Sequence, residues 1–331
     1  MKAAVFEQFG EPAEVLRIQD VPTPEPGKNE VRVRMLASPI NPSDLMTVRG
    51  SYGRLPTLPA TPGFEGVGIV EALGSGMLAW IRGLKVGKKV AVLNATGGNW
   101  QEYVVLSARN VVPVGDLSDA QAATFFVNPA TAFVMTRKVL KVASEEWLLQ
   151  TAAGSALGEM VRSLGKKHGF RVINVVRRPE QAEEMRKAGH ITIATQDGDI
   201  EAKVREWTEG HGVKHAIDAV GGETASNVIR CLAHKGKLLL YGTLSGEPLS
   251  FDPRALMVGQ AAVEGFWLSE WVKDQGVLTM LNLFGKIRSM MNAGVIATDV
   301  QEIPLENIAE AVRQSEEVGK TKKVLIRIAN E

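Results

Sequence analysis

The sequence predicts an α/β protein with two domains, one rich in short β-strands and one built on a doubly wound parallel sheet. Three observations predict this fold class. The first ~115 residues show short alternating stretches separated by turn signals, as in a rolled β-barrel domain. After them apolar strands alternate with helical patterns, which is typical of a parallel sheet. The length of 331 residues also exceeds what one simple core favours.

The β-rich part contains short predicted strands joined by Gly- and Pro-rich turns. A turn at Asn41 can cap a short helix that leads to Gly50, and residues 50–62 form an irregular loop. The predicted strands cover residues 2–6, 15–18, 31–35, 64–73, 89–93 and 102–106.

The second part alternates strands and helices. Predicted strands cover 147–150, 172–176, 191–194, 215–219, 237–241 and 261–266, and predicted helices cover 120–126, 129–140, 180–188, 200–208, 223–233, 277–292 and 305–318. A last strand at 323–328 can complete the first domain. We therefore predict a β-rich domain over 1–124, an α/β domain over 125–268, and a C-terminal segment over 269–331 that returns to the first domain.

The stretch from Glu146 to Arg178 predicts a βαβ unit whose first turn can hold a pyrophosphate. The strand 147–150 is followed by the small-residue turn TAAGSALG and a helix with apolar residues at 3.6-residue spacing. Counted back from Gly158, the G-x-G-x-x-G positions fall on Ala153, Ser155 and Gly158. Only the last glycine is in place, so an ordinary strand–helix turn is the alternative interpretation.

Two arginines indicate which dinucleotide this turn would bind. About twenty residues after Gly158, where an NAD site carries an acid for the ribose 2′-hydroxyl, the chain has Arg177 and Arg178. Guanidinium groups suit a 2′-phosphate, which favours NADPH. The alternative is that one arginine is only a solvated strand end.

Composition excludes several classes of protein. The net charge of +1 calls for neither nucleic acid nor an acidic surface, and no apolar run approaches the ~20 residues of a membrane span. The N-terminus lacks the apolar region of a signal peptide, and the single cysteine, Cys231, fits a reducing cytoplasm. Residues 1–167 contain neither His nor Cys, so we expect no zinc site there.

The segments PTPEPGKNEVRVRMLASPINPSDLMTVRG, GFEGVGIVEALGSG, LKVGKKV and KKVLI resemble the medium-chain dehydrogenase/reductase superfamily in order and spacing. Asn41 and Phe64 stand where its zinc enzymes carry a cysteine and a histidine, which implies a zinc-free branch. GSYGRLP, GGNWQEYVV, NPATAF and GFWLSEW resemble the NADPH-dependent trans-2-enoyl-thioester reductases of mitochondrial type, and less closely the quinone oxidoreductases. The resemblance implies a GroES-like partial barrel, a Rossmann domain and a role in fatty acid metabolism.

The resemblance also implies roles for particular residues. Tyr52 would be the proton donor, and Asn128 would lie at the nicotinamide. The predicted contacts with NADPH are Asn128, Gly154, Ser155, Ala156, Leu157, Arg177, Arg178, Tyr241, Gly242, Thr243, Leu244, Phe266, Trp267, Leu268 and Lys322. Asn41, Trp100 and Trp271 are weaker candidates for contact with the substrate.

Each of these residues also has a structural interpretation. Tyr52 on its Gly-flanked loop could be a packing residue, although a phenol can donate a proton at neutral pH. Asn128 before a proline could only cap a helix. Trp267 and Trp271, four residues apart, could be core residues. Lys85, Lys88 and Lys89 could attract a coenzyme A carrier or form a solvated turn.

The first functional hypothesis is a zinc-free, NADPH-dependent reductase of 2-enoyl thioesters, with hydride added at Cβ and a Tyr52-assisted proton at Cα in a cleft between the domains. The second is a quinone or enone reductase on the same fold. A non-catalytic NADPH-binding protein is the third. We expect a small-molecule electrophile as substrate, a homodimer, a cytoplasmic location, and neither nucleic acid nor membrane as partner.

Overall fold

The fold is taken from a computed structural model, which describes residues 1–317, 319 and 322–329. In chain order its strands are β1 (Lys2–Val5), β2 (Arg17–Asp20), β3 (Glu30–Pro39), β4 (Glu65–Leu73), β5 (Lys89–Leu93), β6 (Tyr103–Ser107), β7 (Val111–Pro113), β8 (Trp147–Gln150), β9 (Arg171–Val176), β10 (Thr192–Ala194), β11 (Val213–Asp218), β12 (Leu232–Leu240), β13 (Ala262–Gly265), β14 (Val300–Pro304) and β15 (Lys323–Arg327).

The α-helices are α1 (Pro12–Val15), α2 (Pro42–Arg49), α3 (Leu78–Ile81), α4 (Asp119–Ala123), α5 (Val127–Val134), α6 (Ala156–His168), α7 (Pro179–Lys187), α8 (Ile200–Trp207), α9 (Gly222–Arg230), α10 (Arg254–Gly259), α11 (Leu268–Lys273), α12 (Val277–Asn292) and α13 (Ile308–Glu316). A π-helical turn, Met135–Val139, continues α5, and short 3₁₀ turns cover Ala108–Asn110 and Leu305–Asn307. No helix within the described ranges is long and apolar enough to cross a bilayer.

The chain divides into two units. The β-rich unit comprises Met1–Val127 together with Leu281–Glu331, and the α/β unit comprises Asn128–Met280. These boundaries differ from the predicted ones, which lie at 124/125 and 268/269. The helices α5 and α12 each cross a boundary, so no turn signal in the sequence marks where one unit gives way to the other.

In the α/β unit six described strands form one parallel sheet in the order β10-β9-β8-β11-β12-β13. Successive strands leave β8 first on one side and then on the other, so the strand order reverses between β8 and β11. In sheets of this kind ligands bind outside the carboxyl ends of the strands at that reversal. The structure confirms the predicted Rossmann-type sheet.

In the β-rich unit the described strands form a seven-stranded sheet in the order β14-β15-β3-β4-β5-β7, with β6 also paired to β3, and a separate pair β1-β2. The strand β15 lies between β14 and β3 and is antiparallel to β3. The final strand of the described chain therefore completes this sheet, and the predicted GroES-like architecture is confirmed.

The structure corrects several predicted elements. The predicted strand 15–18 is the end of α1 followed by β2, because Pro12 starts a helical turn. The short elements α3, α10, α11 and β14 were not predicted. The predicted helix 305–318 is a 3₁₀ turn followed by α13, and its last residue, Val318, lies outside the described residues.

Candidate functional site

In the α/β unit the turn after β8 leads into the N-terminus of α6. Ser155 is the N-cap residue, and its hydroxyl accepts a hydrogen bond from the Gly158 N–H at 3.1 Å. A Cβ at Gly158 would lie 2.4 Å from the carbonyl oxygen of Ala153, so only glycine lets the helix approach the turn this closely. The helix N-terminus can bind an anion through its backbone N–H groups and its dipole.

Two further side chains, which sequence reasoning missed, pack against this turn. Arg162 on α6 donates a hydrogen bond back to the carbonyl oxygen of Ala153. Gln181 on α7 lies against Gly154, where an added Cβ would be 2.0 Å from its Nε2 atom. Gly154 is therefore the point at which α7 approaches the turn, and a side chain there would displace the Gln181 amide. Ala156 and Leu157 form the first turn of α6.

The two predicted phosphate-binding arginines follow β9 directly. Arg177 is exposed, and Arg178 is half-buried at the N-cap position of α7. Neither guanidinium forms an ion pair with any residue that the structure describes. Both are therefore available to an anionic ligand. Because β8 and β9 are parallel neighbours, the arginines lie at the same edge of the sheet as the turn 151–155.

A buried carboxylate joins the ends of β8 and β11 where the strand order reverses. The hydroxyl of Thr151 donates to Asp218 Oδ1 at 2.5 Å, and the N–H groups of Val220 and Gly221 donate to Oδ2 at 3.1 and 2.7 Å. Burial raises the pKa of Asp218, while these three donors lower it. The sequence signal for this residue is an acid at the end of an apolar strand, three residues before the pair Gly221-Gly222.

The segments after β12 and β13 bring the next predicted residues to the same edge. The Tyr241 N–H donates to the Asp218 carbonyl at 2.8 Å and the Leu244 N–H to the Ala219 carbonyl at 3.0 Å. Burial raises the pKa of the Tyr241 hydroxyl, which stays protonated. The Phe266 N–H donates to the Leu240 carbonyl at 2.7 Å.

The remaining predicted residues of this edge follow from these bonds. Gly242 is required because a Cβ there would lie 2.7 Å from the Ala219 carbonyl oxygen. Thr243 is exposed beside it, and Trp267 is the N-cap residue of α11, the helix that begins at Leu268. The half-buried Trp271 lies one turn later on α11. The structure thus brings the cofactor residues predicted at the carboxyl ends of β8, β9, β12 and β13 to one edge of one sheet.

Two predicted cofactor residues, Asn128 and Lys322, do not follow a strand of the parallel sheet. Asn128 is the second residue of α5, so it lies inside the helix, and the interpretation of it as an N-cap is wrong. Lys322 lies in the β-rich unit, exposed, just before β15. Contact of either residue with a cofactor stays a prediction.

In the β-rich unit Tyr52 follows the C-terminus of α2. Gly50 ends that helix in the left-handed conformation (φ 75°), and the N–H groups of Ser51 and Tyr52 both donate to the Met46 carbonyl, at 3.0 and 3.2 Å. The half-buried Tyr52 ring contacts the ring of Phe64, with centroids 5.3 Å apart. The end of α2 therefore holds the backbone at Tyr52, and Phe64, just before β4, packs against its ring.

A buried polar cluster connects α2, β4 and β15. Asp44 accepts hydrogen bonds from the N–H groups of Asn41 and Phe64 at 2.7 and 3.0 Å. The Asn41 amide donates to Glu65 at 3.2 Å and accepts from the Lys323 ammonium at 2.6 Å. The other oxygen of Glu65 accepts from the N–H groups of residues 126 and 127 at 3.1 and 2.9 Å.

Burial dominates the ionisation of this cluster. It raises the pKa of Asp44 to about 7, and the nearby Glu65 raises it further while the Asn41 N–H and Lys323 lower it. Burial also raises the pKa of Glu65 and lowers that of Lys323. The Lys323 ammonium lowers the pKa of both carboxyl groups, and the two carboxylates raise the pKa of Lys323. Two buried acids and one partly buried lysine therefore share this site.

The donor set of this cluster does not fit zinc. The resemblance aligns Asn41 and Phe64 with a cysteine and a histidine of zinc enzymes, but an amide and a phenyl ring offer no thiolate or imidazole. The Lys323 ammonium already contacts the Asn41 oxygen. No group of three potential ligands suited to a metal ion occurs among the described residues.

Two of the predicted substrate contacts are corrected. Trp100 is completely buried in the core cluster that contains Phe6 and Leu305, so its ring packs against protein. Asn41 is 2% exposed, and both atoms of its amide are bonded within the polar cluster. For Trp271 the role remains a prediction. Of the three lysines near residue 85, Lys89 pairs with Asp119 at 2.9 Å.

Both halves of the chain match known families. Residues 27–116 match the alcohol dehydrogenase GroES-like domain, and residues 156–284 match the zinc-binding dehydrogenase family. The human mitochondrial enoyl-[acyl-carrier-protein] reductase is 31% identical over 322 residues, which cover 95% of this chain and 85% of the human protein. The protein of the same name from Schizosaccharomyces pombe is 31% identical over 319 residues, covering 90% and 84%.

Solved structures with the same fold cover almost the whole chain. The Pseudomonas syringae quinone oxidoreductase has a TM-score of 0.87 at 26% identity, covering 99% of each chain. The Etr1p/NADP/crotonyl-CoA complex has a TM-score of 0.83 at 26% identity, with the same coverage. A GroES-like domain joined to a Rossmann-type sheet defines an oxidoreductase of the two-domain dehydrogenase type. The chain belongs to the medium-chain dehydrogenase/reductase superfamily.

Proposed function

We propose that the protein is a zinc-free, NADPH-dependent reductase of trans-2-enoyl thioesters. The observation that carries the proposal is the edge of the α/β sheet, where the turn 151–155 and the unpaired Arg177 and Arg178 lie together. The relatives named enoyl-[acyl-carrier-protein] reductase and the complex with NADP and crotonyl-CoA support the substrate class.

In this proposal the cofactor is bound by residues of the α/β unit. The N-terminus of α6 would hold the pyrophosphate, and the two guanidinium groups would bind the 2′-phosphate through charge-assisted hydrogen bonds. The hydrogen bonds of Asp218 keep the ends of β8 and β11 in position beside this site. NADPH, when bound, supplies the hydride that is added to Cβ of the substrate.

We assign the protonation of Cα to Tyr52. As hydride reaches Cβ, the thioester oxygen gains negative charge, and Cα must receive a proton. A phenol, whose pKa is ordinarily about 10, can donate a hydrogen bond or a proton without being charged at neutral pH. The loop that carries Tyr52 is anchored by two N–H bonds to α2, which suits a residue that must be positioned.

The test is NADPH oxidation with crotonyl-CoA and hexenoyl-CoA, compared between wild type, Tyr52→Phe and Tyr103→Phe. Loss of a general acid typically costs 10²- to 10⁴-fold, so kcat for Tyr52→Phe should fall by about that factor. Tyr103 lies on β6 and serves as the matched control, with unchanged kcat. If the wild type turns over neither thioester, the proposal is wrong.

Absence of zinc from the mechanism is also part of the proposal. It is supported by Asn41, Phe64 and the Lys323 ammonium, which together provide no zinc ligand set. Dialysis against a strong chelator should leave turnover unchanged, and metal analysis of active enzyme should find less than one equivalent of zinc. Loss of activity that added zinc restores would contradict this assignment.

The second candidate is a quinone or enone reductase on the same fold. The Pseudomonas syringae quinone oxidoreductase, with its TM-score of 0.87 over 99% of the chain, supports it. Such an enzyme would reduce naphthoquinones much faster than enoyl thioesters and would be insensitive to Tyr52→Phe. The same panel separates both enzymes from a non-catalytic protein, which would bind NADPH tightly and reduce no electrophile.

A homodimer through the edge of the α/β sheet belongs to the proposal as well. The strand β13 is one of the two edge strands of the described sheet, and Met257 and Val258 on α10, which precedes it, are 72% and 83% exposed. An open strand edge beside apolar side chains is a pairing site for a second copy. Val258→Asp should shift the sedimentation coefficient from dimer to monomer, and a monomeric wild type would refute it.

The cytoplasmic location remains part of the proposal too, supported by the single buried thiol of Cys231, whose pKa burial raises to about 12. Fractionation of cells that express the tagged protein is the test.

A further inference from the structure

The β-rich unit carries an exposed apolar projection between β4 and β5. We call residues 77–88 the Trp80 turn; it contains α3 and the turn that follows it. Four of its large apolar side chains are exposed: Met77 (67%), Trp80 (76%), Ile81 (65%) and Val86 (62%). Contiguous exposed apolar residues on a folded protein usually mark an interaction site.

The Trp80 turn is anchored to the core of the β-rich unit, so its exposed side chains belong to an ordered part of the fold. Ala79 and Leu84 are 4% exposed in the core cluster of this sheet, and the Leu84 N–H donates to the Ala79 carbonyl at 2.9 Å. The Asn29 side chain accepts a bond from the Leu78 N–H at 3.3 Å. Ala79 therefore fixes one face of α3 against the core, and Met77, Trp80 and Ile81 remain exposed.

The backbone around this turn is open to solvent. A Cβ added at Gly83 or Gly87 would meet no atom within 4 Å, so the backbone on both sides of Leu84 faces open space. Of the six tryptophans in the chain, Trp80 is exposed, and the other five are half-buried or buried. We call the four exposed apolar side chains of this turn, Met77, Trp80, Ile81 and Val86, the ridge.

Basic residues surround the ridge, and acids are missing from it. Residues 72–101 contain no Asp or Glu but include Arg82, Lys85 and Lys88. The Arg82 guanidinium bonds to the carbonyl of Arg109 at 3.5 Å, which brings α3 next to a second arginine. Within the described ranges none of these four cations forms an ion pair. Lys89 differs, because its charge is matched by Asp119.

We propose that the Trp80 turn docks on the surface of a lipid bilayer that contains anionic headgroups. Tryptophan favours the membrane interface, where its ring lies at headgroup level, and Ile81 and Met77 would enter the acyl boundary. Lys85, Lys88 and the two arginines would face the anionic headgroups. Exposed apolar side chains beside several cations match the interface of an anionic bilayer, which offers both an acyl boundary and negative charge.

Docking of this kind differs from spanning a membrane. The sequence excluded a membrane partner because it has no long apolar run, and that argument does not address a single anchored turn. The proposal does not depend on the proposed reaction, since it concerns only residues of the β-rich unit that are distant in sequence from the residues assigned to NADPH.

The first experiment is vesicle flotation of the full-length protein, with neutral phosphatidylcholine vesicles and with vesicles that contain about 30% phosphatidylglycerol. Wild type should float with the anionic vesicles. The double variant Trp80→Ser, Ile81→Ser should bind at least tenfold more weakly, and Lys85→Gln, Lys88→Gln about 25-fold more weakly, since each basic residue near an anionic surface contributes about fivefold.

Matched controls separate the Trp80 turn from general effects of charge and hydrophobicity. Val277→Ser, Leu278→Ser removes two apolar side chains that are 68% and 82% exposed elsewhere. Lys166→Gln, Lys167→Gln removes two exposed lysines of α6. Both controls should float like wild type, and thermal unfolding should show that all four double variants are folded.

A second readout reports on Trp80 itself. Brominated lipids should quench the part of the fluorescence that Trp80→Phe lacks. The proposal is overturned if wild type floats with neither vesicle, or if the ridge variants float as well as the controls. It is also overturned if Trp80→Ser abolishes self-association or capture of an acidic protein while binding to vesicles is unchanged.

Discussion

At the scale of single residues, two adjacent lysines have entirely different surroundings. Lys322 is exposed, whereas Lys323 extends into the polar cluster with Asn41, Asp44 and Glu65. The sequence pattern does not predict this difference, because a lysine at the start of a strand is usually solvated. The partners of Lys323 come from α2 and β4, nearly the whole chain away, so no local spacing could have revealed the cluster.

Removing the buried cation should destabilise the protein strongly. In Lys323→Met two buried carboxyl groups lose their only nearby positive charge in the cluster, and breaking a buried pair in this way costs about 3–5 kcal/mol. Urea denaturation measures the loss. Lys322→Met, one residue away and exposed, should change the free energy of unfolding by less than about 0.5 kcal/mol. Equal effects of the two substitutions would contradict the buried position of Lys323.

Asp44 should make stability depend on pH. Its pKa is raised from 3.8 to about 7, so between these pH values the folded chain holds a proton that the unfolded chain has released. The contribution of Asp44 to the free energy of unfolding is therefore largest at low pH and falls as the pH rises from about 4 to 7, by about 4 kcal/mol.

In Asp44→Asn this pH-dependent contribution should disappear. Urea denaturation between pH 4 and 8 should show a smaller decrease with pH than in wild type. Asp116→Asn, at an exposed position, is the control and should follow the wild-type curve. A wild-type slope retained in Asp44→Asn would assign the titration to another group.

The two arginines after β9 should determine cofactor preference. Loss of a charge-assisted bond costs about 1.5–3 kcal/mol, so Arg177→Ala, Arg178→Ala should raise KM for NADPH about 10- to 100-fold and leave KM for NADH unchanged. Arg171 at the opposite end of β9 pairs with Glu145, and Arg171→Ala should alter neither value. Equal losses with both cofactors would mean that the arginines do not read the 2′-phosphate.

At the scale of elements, the βαβ unit of β8, α6 and β9 was the part that the sequence predicted best. The apolar strands, the small-residue turn and the 3.6-residue spacing of α6 are all local signals, and the structure confirms all three elements. The helices α3, α10 and α11 have four to six residues and no clear periodicity. Short helices of this kind depend on tertiary anchors such as Ala79 and Leu84, which the sequence alone does not show.

Two glycine substitutions should have opposite effects on their helices. Gly158→Ala would place a Cβ 2.4 Å from the Ala153 carbonyl oxygen and should destabilise the α/β unit by about 1–3 kcal/mol, with weaker NADPH binding. Gly285→Ala, in α12, meets no atom within 4 Å and should stabilise the protein by about 0.5–1 kcal/mol. Calorimetry and NADPH titration measure both effects, and a stable Gly158→Ala with normal NADPH affinity would contradict the close approach.

At the scale of the whole molecule, the two-part organisation was predicted from the change of pattern along the chain, and the final strand was assigned to the first domain because it follows the α/β region alone. Its partners were not predictable. The strand β15 pairs with β14, which was missed, and with β3, because pairing between distant strands leaves no periodic signal in either of them.

Truncation should therefore affect the two units differently. A chain that stops before Asp299 lacks β14, α13 and β15, so β3 loses one of its three paired strands and the β-rich unit loses part of its core. The α/β unit is continuous from Asn128 to Met280 and keeps all its described strands. Limited proteolysis should digest residues 1–127 and leave a fragment close to the α/β unit. Full protection of 1–127, as in the intact chain digested alongside, would contradict this expectation.

The position of β15 also sets an order of events during synthesis. When the ribosome has made the α/β unit, all the described strands of that unit are present. At that point β15, which pairs with β3, has not been translated. The β-rich unit, with Tyr52 and the cation of its polar cluster, can then close only after synthesis has passed Arg327. A nascent chain would thus complete its α/β unit well before the unit that carries Tyr52.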